Sequence, residues 1–418
     1  MTAAPSAFSY SDGVLAVEQV ALSAIARRFG TPCFVYSRAA LERAYRDFDA
    51  AFAAIPHQIC YAMKANSNLA VLNLFARLGS GFDVVSGGEL ARVVAAGGDP
   101  RQVVFSGVGK TDPEMAQALD LSIRCFNVES ASELERLNAV AARRKTRAPV
   151  SFRVNPDVDP RTHPYISTGL RDNKFGIAFG EARALYRHAA TLPHIALRGI
   201  DMHIGSQITD LEPHVEAARK SVALVDQLSS EGIRLEHLDI GGGIGIRYRD
   251  EPIIDLSAYA SSIAAVLGDR QLELMLEPGR YLVGNAGVLL TRVLYLKPGA
   301  EKNFAIVDAA MNDLLRPALY DAWHDVRPVQ PHGGESALWQ VVGPVCETAD
   351  FLGHDRELAL AEHDLLSIGS AGAYAMAMSS NYNSRPRAAE VIVDGATVHL
   401  VRSRERNADL FANESLLP

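Results

Sequence analysis

The sequence predicts an α/β plus β chain: a (β/α)8 barrel over residues 30–285, followed by a mainly-β domain over 286–418 that residues 1–29 join. Three observations carry this. Short apolar, β-branched runs alternate with stretches of helical period. Each run ends in a polar or glycine-rich group. Beyond about residue 285 the helical rhythm fades and β-like runs separated by turn residues take over.

The barrel runs are residues 60–63, 81–85, 103–105, 124–128, 150–154, 199–203, 237–240 and 272–276. Between the first two, Leu69, Leu72, Phe75 and Leu78 recur every third residue and line one helix face. Asp112 followed by Pro113 reads as an N-cap and first helical position. Ser130 with Glu133 reads as a capping box. The basic run 143–147 falls in the last turn of that helix. There it complements the helix dipole as a solvated end rather than a binding patch.

The run ends are Lys64, Asp83 with Ser86, Ser106, Glu129, Asn155, His203, Gly241 to Gly243, and Glu277 with Arg280. A closed barrel gathers such strand ends on one face, where barrel active sites sit. A doubly wound open sheet would scatter them along two edges. The β-like runs that follow are 288–296, 304–307, 339–342, 364–368, 390–393 and 397–401. Segment 8–20 is expected to pair into this β domain.

Composition narrows the function classes. The 418 residues are 48% hydrophobic and 22% charged, which excludes a disordered, collagen-like or disulfide-scaffold chain. Forty-one basic against 49 acidic residues give a net charge of −8. Such a surface has no general attraction for nucleic acid or an anionic membrane. The expected partner is a small molecule read by local basic residues. No apolar run approaches the roughly 20 residues that span a bilayer. Residues 1–10 lack a basic and then apolar leader. Cys33, Cys60, Cys125 and Cys346 show no C-x-x-C or framework spacing, as in a reduced, cytoplasmic protein.

The chemistry begins with glycine. The run Asp239-Ile240-Gly241-Gly242-Gly243-Ile244-Gly245 fails the dinucleotide fingerprint, which would need glycine at Ile246. Following the seventh strand, beside Pro278-Gly279-Arg280 after the eighth, it matches the two loops in which barrels hold a phosphate. A tight turn packed on a neighbour is the alternative for the glycines alone. Lys64 ends an apolar strand, where desolvation would lower the amine's pKa and make it a nucleophile. A lysine facing a phosphate site suggests a Schiff base with pyridoxal phosphate. Glu277 can accept the pyridinium N–H, His203 can lie on the ring, and Ser206 can donate to phosphate. Asp83 either bonds near the ring or caps the next helix. No second histidine or cysteine has metal-ligand spacing to His203, so no metal is expected.

Five motifs together resemble the alanine-racemase-type (fold-type III) pyridoxal phosphate decarboxylases. They are Tyr61-Ala62-Met63-Lys64-Ala65-Asn66, Phe82-Asp83-Val84-Val85-Ser86-Gly87-Gly88-Glu89, His203-Ile204-Gly205-Ser206-Gln207, Gly241-Gly242-Gly243-Ile244-Gly245 and Glu277-Pro278-Gly279-Arg280. The resemblance spans about residues 30–400. It is strongest to the branch acting on meso-diaminopimelate. The stretch 308–320 resembles that branch's substrate segment, and 342–350 its cysteine motif, with Thr348 where serine is common. Gly372-Ala373-Tyr374 matches a late element of the family.

The resemblance implies the following roles. Lys64 forms the aldimine. Gly243, Glu277, Gly279, Arg280 and Tyr374 contact the cofactor. Arg280, Arg316 and Tyr320 bind the substrate's distal carboxylate, with Tyr374 nearby. Glu347 binds its distal ammonium. Cys346 reaches in from the partner subunit of a homodimer with shared active sites and supplies a proton. The implied product is L-lysine with carbon dioxide, the last step of lysine biosynthesis. A planar guanidinium matches a carboxylate bidentately, which ornithine or lysine as substrate would leave unused. A thiol with a pKa of about 8.5 can donate near neutral pH. Cys33, Cys60 and Cys125 read as core. Three other readings remain: a relative acting on another amino acid, a racemase that keeps the carbon dioxide, and a cofactor-binding regulator.

Overall fold

The computed structural model describes residues 7–159 and 174–418, so the first six residues of the leader reading lie outside it. The chain divides into two compact units. One comprises Tyr45–Ile246 and Pro252–Tyr281, the other Met1–Ala44, Arg247–Glu251 and Leu282–Pro418.

The first unit is a closed parallel barrel. Its strands are His57–Ala62, Gly81–Val84, Val103–Phe105, Cys125–Val128, Ala148–Asn155, Ile195–Asp201, His237–Asp239 and Glu273–Leu276. Each pairs in parallel with the next. Leu274 to Leu276 then pair with His57 to Ile59 and close the ring. The eight predicted runs are these eight strands. Met63, read as the end of the first run, has already left it for the 3-10 turn Met63–Ala65.

Side chains fill the barrel, with Cys60, Val104 and Met275 packed together inside. Gly199 is required there, because a Cβ would fall 2.1 Å from Nε2 of the buried His237. Helix starts are fixed by side-chain caps. Asn68 accepts from Ala70 N–H, Ser86 from Glu89 N–H and Asp255 from Ala258 N–H.

Two local expectations shift. Asp112 is the first helical residue, and Thr111 before it is the cap, closed reciprocally by Glu114. Ser130 accepts from Glu133 N–H as predicted. The Glu133 carboxylate, however, takes Glu129 N–H and the buried Lys110 ammonium. The basic run is exposed, as expected of a solvated helix end, and it also pairs at the surface: Arg143 with Asp112 and Arg144 with Asp120, while Arg147 donates to Ile195 O.

The second unit is mainly β. Its largest sheet runs Phe351–Leu358, Ala337–Val342, Asn303–Val307, Gly287–Lys297, Cys33–Ser37, Ala389–Asp394 and Thr397–Arg402. Leu365–Ile368 also pairs with Gly287–Lys297 and carries Val326–Pro328 beside it. Segment 8–20 forms a small antiparallel sheet of its own, Phe8–Ser11, Val14–Val17 and Val20–Ala21. It does not pair into the large sheet. It packs through Phe8, Leu15 and Val17 onto a core with Val35, Val288 and Val391. The N-terminal strand in the large sheet is Cys33–Ser37, between Gly287–Lys297 and Ala389–Asp394.

Candidate active site

In the barrel, the turn Met63–Ala65 after the first strand presents Lys64. Its Nζ donates to Asp83 Oδ2 at 2.5 Å, from the end of the second strand. The Asp83 side chain is fully buried, whereas that of Lys64 is 38% exposed. The expected desolvation of the lysine is therefore not found; the ammonium has both solvent and a carboxylate. The capping alternative for Asp83 also falls, since Ser86 caps that helix.

His203 follows the sixth strand. Its Nδ1 accepts from Gly242 N–H at 3.3 Å. Burial holds the imidazole well below its usual pKa, and the charges of Arg153 and Lys64 add to this. The ring is thus neutral, with Nε2 carrying its proton.

The glycine loop is packed tightly. A Cβ on Gly242 would meet Glu277 O at 2.1 Å, and one on Gly243 would meet Gly205 O at 2.5 Å. Gly241 N–H is taken by Asp239 Oδ1 and Gly245 N–H by Ile208 O. The tight-turn alternative accounts for part of the run. Three of its N–H groups serve internal packing, which leaves Gly243 with Gly279 and Arg280 from the predicted anion-binding set. Arg280 is only 6% exposed, and its guanidinium donates to Ser206 Oγ at 2.9 Å.

Asp201, Asp239 and Glu277, at consecutive strand ends, form a cluster that sequence reasoning missed except for Glu277. Asp201 and Asp239 are register partners. One carboxylate oxygen of each lies within 4.8 Å of the others, and all three residues are buried. Asp201 Oδ1, Asp239 Oδ2 and Glu277 Oε1 have no hydrogen-bond donor among the described residues. Burial pushes Asp201 and Glu277 well above the usual carboxylate range, reinforced by mutual repulsion, and Asp239 up to about 7. The set shares protons and titrates as a unit. The available signal was an aspartate ending each of two successive strands.

The second unit holds the remaining predicted residues. Arg316 opens the short helix Arg316–Tyr320 and is 5% exposed. One guanidinium nitrogen lies 2.8 Å from His324 Nε2, and the group stacks 4.5 Å from the Tyr248 ring centre. Tyr320 ends the same helix. Tyr374 has φ of +54°, a strained conformation for a bulky residue and typical of functional positions. Cys346 is exposed, with its N–H donating to Asn383 Oδ1 at 2.9 Å. The neighbouring Glu347 accepts from the Tyr382 hydroxyl. Cys33, Cys60 and Cys125 are buried, as expected of core residues.

The barrel residues fit pyridoxal phosphate. They offer a strand-end amine, a neutral imidazole, an arginine–serine pair and a buried carboxyl oxygen, Glu277 Oε1, that no donor reaches among the described residues. Fold and residues together define a barrel-type pyridoxal-dependent decarboxylase. Comparison with known proteins agrees. The family described as "Pyridoxal-dependent decarboxylase, pyridoxal binding domain" matches residues 38–284. Diaminopimelate decarboxylase of Pseudomonas aeruginosa is 60% identical over 411 residues, covering 98% of this chain and 99% of that one. The Helicobacter pylori diaminopimelate decarboxylase complexed with L-lysine superposes with a TM-score of 0.91 at 42% identity, covering 94% of this chain and 99% of that one. The M. jannaschii enzyme in co-complex with L-lysine gives 0.94 at 37% identity and 98% of each chain. The chain belongs to the diaminopimelate decarboxylase family.

Proposed function

We propose that the protein decarboxylates meso-diaminopimelate to L-lysine and carbon dioxide with pyridoxal phosphate. The observation that carries this is the barrel-end set of Lys64 on Asp83, Arg280 on Ser206 and the partnerless Glu277 Oε1. Full-length similarity to named diaminopimelate decarboxylases supports it.

Bound at the barrel end, the cofactor supplies an electron sink for the pair left as carbon dioxide departs. Lys64 Nζ is the amine that would hold the cofactor covalently through its carbonyl carbon. Asp83 holds that ammonium in place between turnovers. Glu277 would hold the proton of the cofactor's ring nitrogen. Neutral His203 offers a flat, uncharged surface to the ring. Gly243, Gly279, Arg280 and Ser206 hold the phosphate. Arg316, Tyr320 and Arg280 read the distal carboxylate, Glu347 the distal ammonium, and Tyr374 contacts both cofactor and substrate. Cys346 holds the proton delivered to the reacting carbon. Exposure of Cys346 and Glu347 on one turn supports a homodimer in which each chain completes its partner's site. No described helix is long and apolar enough to cross a membrane, and we place the reaction in the cytoplasm.

Incubation with meso-diaminopimelate and pyridoxal phosphate is expected to release lysine and carbon dioxide in equal amounts. Lys64→Ala should lose turnover together with the cofactor's bound absorbance band. Cys346→Ala should keep the band and lose turnover. Wild-type rates in Lys64→Ala, or no lysine from the wild type, would refute the assignment.

A further inference from the structure

We propose that His324 is a positioning residue that fixes Arg316 in the orientation in which it reads the distal carboxylate. This rests on the role proposed above for Arg316.

His324 is fully buried. Its Nε2 lies 2.8 Å from an Arg316 nitrogen, and its Nδ1 lies 2.8 Å from Gly369 O. A guanidinium can only donate and a carbonyl can only accept. Nε2 is therefore a bare acceptor, and Nδ1 carries the proton. One neutral tautomer satisfies both partners. The other tautomer would set donor against donor and acceptor against acceptor, and turning the ring over would put carbons where its two nitrogens stand.

The surroundings hold this arrangement. The Tyr248 ring lies 4.5 Å from the Arg316 guanidinium and meets the His324 ring edge-on at 5.3 Å. Arg356 donates to His324 O at 2.9 Å and stacks 4.6 Å over Trp323 next to it. The planar guanidinium is thus fixed on one face by an aromatic ring and at one of its five N–H groups by the imidazole. A fork held in one plane loses little freedom when it meets a carboxylate bidentately. Residues that build this hold set selectivity for substrates carrying a second carboxylate.

The test uses the holoenzyme and two competing ligands. L-Lysine retains a carboxylate, whereas 1,5-diaminopentane has the same chain and two amines but none. His324→Leu removes the acceptor. His324→Asn keeps a donor for Gly369 O but cannot reach Arg316. Loss of a buried hydrogen bond to a charged group predicts about a tenfold or larger rise in KM for meso-diaminopimelate and in the lysine inhibition constant. In the same variants kcat should stay within about threefold, and 1,5-diaminopentane inhibition within about twofold. His324→Gln carries an acceptor near the Nε2 position and should recover most of the loss. Should the leucine variant fail to fold, the asparagine variant decides. Equal weakening of both inhibitors would show a merely structural role and overturn the proposal, as would unchanged lysine inhibition. Arg316→Leu is run in parallel. If it too leaves lysine inhibition unchanged, the fault lies with the role given to Arg316 rather than with its link to His324.

Discussion

Replacing Lys110 by methionine tests a buried network at the barrel's strand ends. Lys110 Nζ donates to Gly107 O at 2.8 Å, Asn127 O at 2.7 Å and Glu133 Oε1 at 2.7 Å, with its side chain wholly buried. Glu133 in turn holds Glu129 N–H, and Glu129 holds Gly107 N–H and Gly176 N–H. Methionine keeps the length and removes the ammonium. Breaking a buried pair from one side costs about 3–5 kcal/mol. Burial already raises the Glu133 pKa, and Lys110 is the main influence opposing it. Without Lys110 the carboxyl takes up a proton, which offsets part of the cost at lower pH. An acid whose folded pKa exceeds its unfolded one loses stability as pH rises from the unfolded value toward the folded one. The loss should therefore reach about 3 kcal/mol near pH 8 and be smaller near pH 6. For a unit of this size it lowers the melting temperature by about 6–12 °C near pH 8. Thermal melts by circular dichroism at fixed scan rate measure it at both pH values. A drop under about 2 °C at both, or a larger drop near pH 6, would refute the reasoning.

Three further outcomes follow from the geometry. Asp239, with its pKa pushed up to about 7, makes the native state bind more protons than the unfolded chain between about pH 4 and pH 7. Asp239→Asn cannot ionise but still accepts Gly241 N–H, so in urea titrations it should gain at least about 1 kcal/mol on the wild type between pH 5 and pH 8; parallel profiles would contradict this. Gly199→Ala places a Cβ 2.1 Å from the His237 ring and should cost about 1–3 kcal/mol, read as a lower urea midpoint; an unshifted midpoint would show that the ring moves freely. In native thiol titration, only Cys346 should react quickly, because burial pushes the Cys33 thiol up to about 12 and raises those of Cys60 and Cys125 as well; a second fast thiol that persists in Cys346→Ala would disprove that expectation.

The barrel was legible because its parallel strands are buried on both faces and read as continuous apolar runs. Their polar ends then marked the candidate site, which is how Lys64, His203 and Glu277 stood out. Asp201 and Asp239 stayed hidden, since one aspartate at the end of an apolar run looks like the start of a loop. Only the closed ring shows that both carboxyls turn toward Glu277. His324 was hidden in the same way: a lone histidine carries no pattern until its two partners are known. The one-residue shift from Asp112 to Thr111 arose because both residue types cap helices, and Glu114, three residues after Thr111, decides between them. Cys33–Ser37 lies in the stretch read as barrel, yet its ladder partners belong to the β sheet. Periodicity is local and cannot reveal such pairings.

That strand has a consequence for how the chain is made. Cys33–Ser37 leaves the ribosome early, but one of its two flanking strands, Ala389–Asp394, follows about 350 residues later, a wait of roughly 18–70 s at about 5–20 residues per second. The last barrel strand, Glu273–Leu276, is complete long before then. A nascent chain can thus carry a closed barrel while the apolar segment Cys33-Phe34-Val35-Tyr36 still lacks a neighbour. Any chain cut short before residue 389 keeps that edge open for good, an invitation to aggregation that the finished sheet withdraws.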